Sequence, residues 1–459
     1  MTVKTANSTN TLPGQRIAVI GSGITGLGAA WLLSRGHDVR VFEADSRLGG
    51  HSNTVDTPAG DPVDTGFIVF NRVTYPNLCA LFTYLGVDSE ASDMSFGVSL
   101  DDGRVEYSGD GLNGMFGQRR NILNPAYYGM IQDILRFYRT APEDLAAGKL
   151  EGLSLGDYLI QGGYGERFQH HHILPMGAAI WSSTVTGMMA FPAENFVSFY
   201  VNHGLFRLKD RPVWRTVTGG SRQYVAKLSQ SLRDEDRIHS HDPVVAVEPV
   251  KKQHRLRTQS GVEFLADQVV FACHSDQALQ ILGDQATPGQ RDVLGRIRYQ
   301  DNTAILHHDR ALMPKRERVW TSWNYMGRTE ANGQVSASIT YWMNRLQNID
   351  RSRPYFVSLN PLVEPDPATV LSVQQYAHPV FDGPAIAAQG DLAAIQGQDG
   401  LWFGGAWTGH GFHEDGLASG LAIAEAIGNV HRPWHIQEMS PAALNSRPAL
   451  PASTALAAE

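Results

Sequence analysis

The segment RIAVIGSGITGLGAAWLLSRGHDVRVFEADSRLGG, Arg16 to Gly50, constrains this chain more than any other. An apolar run with strand character, Ile17 to Ile20, leads into Gly21, Gly23 and Gly26. A helical pattern follows over Leu27 to Ser34, and a second strand-like run, Val39 to Phe42, ends in Glu43. Strand, glycine turn, helix, strand and acid in this order form a dinucleotide-binding unit. Gly21 allows the tight turn, Gly23 lets backbone approach a pyrophosphate, and Gly26 lets helix and strand pack closely. Ile24 and Thr25 stand at the helix start, whose unpaired N–H groups and partial positive charge favour phosphate. Glu43, with Ala44 beside it, lies about 20 residues on, where a carboxylate holds the adenosine ribose. The plainer alternative is a glycine-rich turn without a ligand.

Composition bounds the rest. A chain of 459 residues holds about two or three domains' worth of sequence. Charged residues are 18% and hydrophobic ones 42%, the balance of a globular protein. The net charge of −8 argues against a nucleic-acid partner held by phosphate neutralisation. Two cysteines, Cys79 and Cys273, allow no disulfide framework and read as core thiols. The first 14 residues are polar, without a secretory h-region, and no apolar stretch is long enough to span a bilayer. The expectation is a cytoplasmic protein, with peripheral contact to the inner membrane face left open. Arg119 and Arg120 precede an amphipathic run, Tyr127 to Tyr138, and Lys315, Arg316 and Arg318 form a second cluster. Each could meet an anionic lipid surface; a solvated face is the plainer reading.

After Glu43 the chain continues to Arg47 and Gly49-Gly50. This Glu-x-x-x-Arg-x-Gly-Gly run resembles the FAD signature of the flavin amine oxidase and phytoene desaturase superfamily. Relatives often carry arginine after the two glycines; His51 stands here. Near the other end, GLWFGGAWTGHGFHEDGLASGLAIAEAI (Gly400 to Ile427) resembles the superfamily's closing motif. There Gly405 follows a short strand, and Asp415-Gly416-Leu417 opens a helix aimed at the flavin end of FAD. Read without the family, it is an ordinary helix with Asp415 as N-cap. The resemblance further implies that Asp64 and Gly66 form an acid-x-Gly element of the cofactor site. Val244 and Val245 then lie against adenine. Neither cysteine falls where some relatives attach flavin, so the expectation is FAD held without a covalent bond.

The expected fold is α/β: a Rossmann-like FAD-binding domain of glutathione-reductase type, with an inserted α+β substrate domain. Residues 15–75, 212–290 and 390–430 make the FAD domain, and 76–211 with 291–389 the substrate domain. Residues 1–14 are expected to be a flexible N-terminus and 431–459 a C-terminal tail, mobile from about Ser440. Helices dominate from Asn121 to about Asn202, and aromatic-rich strands fill Arg291 to His378. Trp181, Trp323, Tyr325, Tyr341, Trp342 and Trp407 are candidates for a substrate pocket, or plain core. His170, His171 and His172 are consecutive, so on a helix they point different ways; no metal site is expected. His410, His413 and Glu414 flank the flavin-facing motif and are the catalytic candidates.

Three strings narrow the resemblance: GFIVFNRVTYPNL (Gly66 to Leu78), RPVWRTVTGGSRQYV (Arg211 to Val225) and GFHEDGLASG (Gly411 to Gly420). They are similar to bacterial FAD proteins associated with cyclopropane and furan fatty acid synthesis, and to the N-terminal region of plant cyclopropane fatty acid synthases. This implies dehydrogenation of a fatty-acyl chain, carried as a methylated chain of phospholipid, with dioxygen or a quinone as electron acceptor. Amine oxidation is the rival activity, and an FAD-binding partner of a fatty-acid methyltransferase the non-catalytic one.

Overall fold

The computed structural model describes residues 14–181, 183–331 and 335–436. The expected mobile segment from Ser440 and all but Gly14 of the expected flexible N-terminus lie outside the described residues.

A five-stranded parallel sheet organises one half of the molecule. Its order is Ile238–His239, Asp38–Phe42, Arg16–Ile20, Gln268–Phe271, Leu401–Phe403. The strands come from widely separated stretches of chain, and the Arg16–Ile20 strand lies at the centre. A parallel sheet covered on both faces needs continuous apolar strands, and Ile17, Ala18 and Val19 are fully buried. On one face Ile17, Val19, Val39 and Val41 pack against helices Ile24–Leu33 and His413–Ile427. On the other, Ala18, Ile20, Phe42 and Phe271 pack beneath an antiparallel meander, Val244–Val250, Gln253–Thr258 and Glu263–Ala266.

The second half is built on a seven-stranded sheet. Its order is Val370–Val380, Arg298–His307, Phe356–Leu359, Val335–Trp342, Trp323–Thr329, Phe96–Leu100, Val105–Ser108. All pairs are antiparallel except Trp323–Thr329 with Phe96–Leu100. One face carries Tyr325, Ile339 and Val98 into a core shared with helices between residues 125 and 202. The architecture is thus the expected α/β one.

The packing does not follow the expected boundaries everywhere. Helix Pro76–Leu85 buries Leu78, Leu81 and Phe82 in the core of the parallel sheet. Helices Pro288–Gly295 and Gly383–Asp391 also pack there, through Val293, Leu294, Ala385 and Ala388. These elements border the insertion in sequence but have their apolar partners on the parallel sheet. The three histidines lie on a π-helical turn, Gln169–Ile173. His172 is held between the hydroxyls of Tyr107 and Tyr138, at 3.0 Å each, so it is a packing residue.

Candidate cofactor and active site

The three glycines of the first turn do different work. At Gly21, where φ is 101°, a β-carbon would stand 2.6 Å from the Ala272 carbonyl oxygen. On Gly26 it would stand 1.9 Å from the Gly21 carbonyl oxygen. Both positions exclude side chains through backbone contact alone. Gly23 has an ordinary φ of −64°, yet a β-carbon there meets nothing within 4 Å. The open space beside Gly23 is a cradle that a side chain would fill, as a pyrophosphate site requires. Gly50, at φ 56°, approaches from the other side, its added β-carbon only 3.1 Å from the Gly23 Cα.

Ser22 ties this cradle together. Its carbonyl accepts from the Gly49 N–H at 3.0 Å. Its own N–H and hydroxyl donate to Glu43 Oε2 at 2.8 and 2.5 Å. Glu43 Oε1 accepts the Asp45 N–H at 2.8 Å. The carboxylate is thereby fixed beside the turn, next to exposed Ala44. Arg47 donates to the Ser52 carbonyl at 3.3 Å and stays partly exposed at the rim. Across the sheet, Val244 pairs with Thr258 and Ala246 with Arg257, which leaves Val245 as the extra residue of a β-bulge. A bulge releases a residue's backbone groups from the ladder. Val245 is also exposed, while Val244 is buried in the sheet core. Of the two, Val245 has the backbone available for an adenine.

Two helices begin at this cradle. Gly416 faces the Thr25 hydroxyl and Ile24, Gly420 faces the Thr25 carbonyl, and Gly36 meets Asn429 and Val430. The contacts run in the same direction along both chains, so the helices are parallel and share an N-terminal end. Two sets of unpaired N–H groups and two positive helix ends therefore meet beside Gly23. The closing helix starts at His413, four residues before the expected Leu417. Asp415 is consequently in the first turn rather than the N-cap. Its carboxylate reaches back to the N–H groups of Phe412 at 3.0 Å and His410 at 3.2 Å. Leu417 is fully buried against Gly28. Gly405 packs under the Trp407 indole and donates its N–H to Ser419 Oγ at 3.1 Å.

Several candidates turn out to be committed to the scaffold. Glu414 is buried, and its carboxylate accepts from the Asn77 N–H, the Asn77 amide and the Leu78 N–H at 2.8–3.0 Å. It fastens the closing helix to the start of helix Pro76–Leu85, so it is neither solvated nor turned to substrate. His413 Nε2 bonds Ser52 Oγ at 2.9 Å and Tyr224 Oη at 3.1 Å, and its ring stacks on Phe67 at 3.7 Å. Burial pushes its pKa down to about 3, which makes it a poor base at neutral pH. Asp64 gives its oxygens to Thr54, Ser221 and Gln347, between 2.6 and 3.1 Å. It anchors the Gly219-Gly220 turn instead of a cofactor; burial raises its pKa to about 6. Gly66 is needed for close approach, since a β-carbon there would lie 2.2 Å from the His51 carbonyl oxygen.

His51 belongs to a group the sequence did not reveal. Its ring stacks on Tyr376 at 4.8 Å and lies 5.2 Å from His378 and 6.5 Å from His274. Burial first, and then His378, hold its pKa well below the ordinary value. His51 Nε2 is buried and has no hydrogen-bond partner among the described residues. Such an orphaned atom is what a bound group would satisfy. With the Gly23 cradle, it shows that the residues present fit a dinucleotide. No local spacing could announce this cluster, whose members come from three distant segments.

The aromatic candidates divide. Trp323 and Tyr325 share a sheet face with Tyr341, which pairs with Trp323 in register, their rings 4.9 Å apart. Trp342 points to the opposite face and packs on Trp320 at 5.6 Å. Trp407 is buried in the parallel-sheet core and donates its indole N–H to the Cys273 carbonyl at 3.2 Å. Neither Trp342 nor Trp407 walls a substrate pocket. Trp181 meets Phe199 at a tilt, 4.8 Å apart, and Phe199 stacks on Phe412 at 4.9 Å. This aromatic chain links the helical layer to the start of the closing helix. A cavity of about 10 Å³, room for about one water, lies beside it, lined by Trp181, Phe191, Asn195, Phe381, Gln389 and His410, among others. Of the three catalytic candidates, His410 is the one that lines this cavity.

The family described as flavin containing amine oxidoreductase matches residues 24–306. The chain belongs to that family. FAD is the cofactor of this flavin amine oxidoreductase, and the Gly23–Gly50 cradle, Glu43 and the two helix ends are the groups that would hold it. A stretch of 43 residues is 56% identical to protoporphyrinogen oxidase 2 of Arabidopsis thaliana, spanning 9% of this chain and 8% of that relative. Cyclohexylamine oxidase from Brevibacterium oxydans superposes with a TM-score of 0.64 at 17% identity, covering 90% of this chain and 100% of that one. Putrescine oxidase bound to putrescine gives 0.63 at 15% identity, covering 90% and 99%. A CLA-producing fatty acid isomerase from P. acnes gives 0.62 at 14% identity, covering 88% and 97%. At these identities the likeness is one of fold.

Proposed function

We propose that this flavin amine oxidoreductase dehydrogenates a fatty-acyl chain, a methylated acyl chain of phospholipid being the substrate the motifs favour. The observation that supports the reading is an apolar core in which Trp181, Phe199 and Tyr325 are buried, with Trp323 and Tyr341 packed against it. An apolar surface of this kind would gain from burying methylene groups, at about 0.8 kcal/mol each. Trp407, suited by position to an aromatic pair for an amine, is instead a core residue. One structural neighbour is a fatty acid isomerase, which supports an acyl substrate on this fold.

When bound, FAD supplies the acceptor for a hydride from a C–H bond. The chain's own task is to align the acyl chain, exclude water and take the second hydrogen as a proton. His410 is the residue assigned that last role here. It borders the cavity, and its ring has no hydrogen-bond partner among the described residues. Dioxygen or a quinone would then remove the electrons.

Amine oxidation is the second reading, favoured by the family and by two amine oxidases among the structural neighbours. Lipid mass spectrometry on cells with and without the protein separates the two. A shift of acyl masses by two hydrogens is expected. Unchanged acyl composition, with polyamine oxidation by the purified protein, would overturn the acyl reading. Flavin binding with turnover of neither substrate would point to a scaffold for a methyltransferase.

A further inference from the structure

Between Gly111 and Tyr128 the chain does something unusual for a surface. Leu112 is 79% exposed, Leu123 88%, Ile122 47% and Tyr128 42%. These side chains lie on a short helix, Gly111–Met115, a 3-10 turn, Arg119–Leu123, and the first turns of helix Pro125–Ala146. The underside of the same segment is fixed: Tyr127 is buried and donates its hydroxyl to the Met115 carbonyl at 2.5 Å. The exposed leucines are therefore presented by an anchored scaffold. The apolar line continues along the long helix to Leu135, two turns beyond Tyr128 and 48% exposed.

Charge singles the segment out as well. From Gly111 to Gln132 there is no Asp or Glu, in a protein whose net charge is −8. Arg119 and Arg120 are exposed in the middle of it. Both spend their hydrogen bonds on neutral acceptors: Arg119 on the Phe116 carbonyl and Asn113, Arg120 on the Arg104 carbonyl. Neither is in an ion pair among the described residues. The nearby acids Asp101, Asp102 and Asp110 are already paired with Arg104, Lys315 and Arg345. A cationic pair with exposed leucines on either side matches a lipid boundary, where phosphates lie just above acyl chains.

We propose that the face formed by Leu112, Ile122, Leu123 and Tyr128, with Arg119 and Arg120, docks the protein on an anionic bilayer. The leucines enter the acyl boundary and the guanidiniums bind lipid phosphate. No described helix is long and apolar enough to cross a membrane, so the contact is peripheral. It does not rest on the acyl substrate: an enzyme acting on any substrate could sit at a membrane in this way.

The test is sedimentation of the full FAD-loaded chain with vesicles of phosphatidylcholine, with or without about one third phosphatidylglycerol. Binding to the anionic vesicles, weakened strongly by about 0.5 M salt, is expected. The R119Q/R120Q protein should bind roughly 20-fold more weakly, about fivefold per arginine. The L112N/L123N protein should lose binding while keeping its flavin absorbance and melting temperature, since both side chains touch mainly water. Absence of binding, equal binding to neutral vesicles, or native binding by either variant overturns the proposal. No turnover is read, so failure here leaves the acyl reading standing, and the reverse.

Discussion

Gly420 lies so close to Thr25 that a β-carbon on it would stand 2.3 Å from the Thr25 carbonyl oxygen. Backbone faces backbone here, and neither side can turn away. Gly420→Ala should therefore force the two parallel helices apart and cost about 2 kcal/mol or more. Thermal denaturation would show the loss, together with poorer retention of FAD, because the shared N-terminal end is displaced.

Gly23 should behave in the opposite way. Its backbone is ordinary and an added methyl group meets only open space. Gly23→Ala is expected to fold as stably as the native protein and to bind FAD at least about tenfold more weakly. Titration of the apoprotein with FAD, beside a melting curve, checks both halves. A stable variant with native affinity would remove the cradle from the cofactor site.

Glu414→Ala strips the partner from two backbone N–H groups and one amide in a buried place. A loss of about 3 kcal/mol in urea unfolding is expected. Turnover per bound flavin should be unchanged below the unfolding transition. A catalytic role would show the reverse pattern, with stability intact and turnover lost.

The pKa of His413 near 3 has a consequence for acid stability. The unfolded chain takes up a proton on this residue near pH 6.5, and the folded chain does not until far lower pH. Stability from this group is complete above pH 6.5 and is lost as pH falls towards 3. Between pH 7 and pH 5 the loss is about 2 kcal/mol for each such histidine. His413→Phe should reduce the acid slope by one proton's worth, read from urea midpoints at the two pH values. His172 and His203, also held near 3 by burial, keep part of the slope in the variant.

Tyr325 carries a buried hydroxyl with no partner among the described residues. Tyr325→Phe should leave the melting temperature unchanged or raise it, because no hydrogen bond is lost and the desolvated hydroxyl is removed. A fall would mean that an ordered water or other group already satisfies the hydroxyl.

The first turn was legible in sequence because every part of it is local. Gly21, Gly23, Gly26 and Glu43 are set by spacing within one β–α–β unit. Asp415 was legible as a helix-start residue but not as an N3 one. Its reach back to Phe412 satisfies donors that an N-cap reading assigns elsewhere. Glu414, Asp64 and the His51 cluster were not legible, since Asn77, Ser221, Gln347, His274 and His378 are all distant in the chain. The orientation of Trp342 could have been read: it follows Tyr341 in a strand, and neighbours in a strand face opposite sides. Trp407 gave no such warning, because a 3-10 turn turns it inward.

The parallel sheet takes its central strand from residues 16–20 and its edge strand from 401–403, and the helix that completes the cradle ends at Ile427. Most of the described chain separates these pieces. The face of helix Ile24–Leu33 that packs on Gly416 and Gly420 must wait uncovered until helix His413–Ile427 has emerged. Contacts of such long range also close slowly. A nascent chain that has not yet reached residues 401–427 therefore lacks a finished cofactor site.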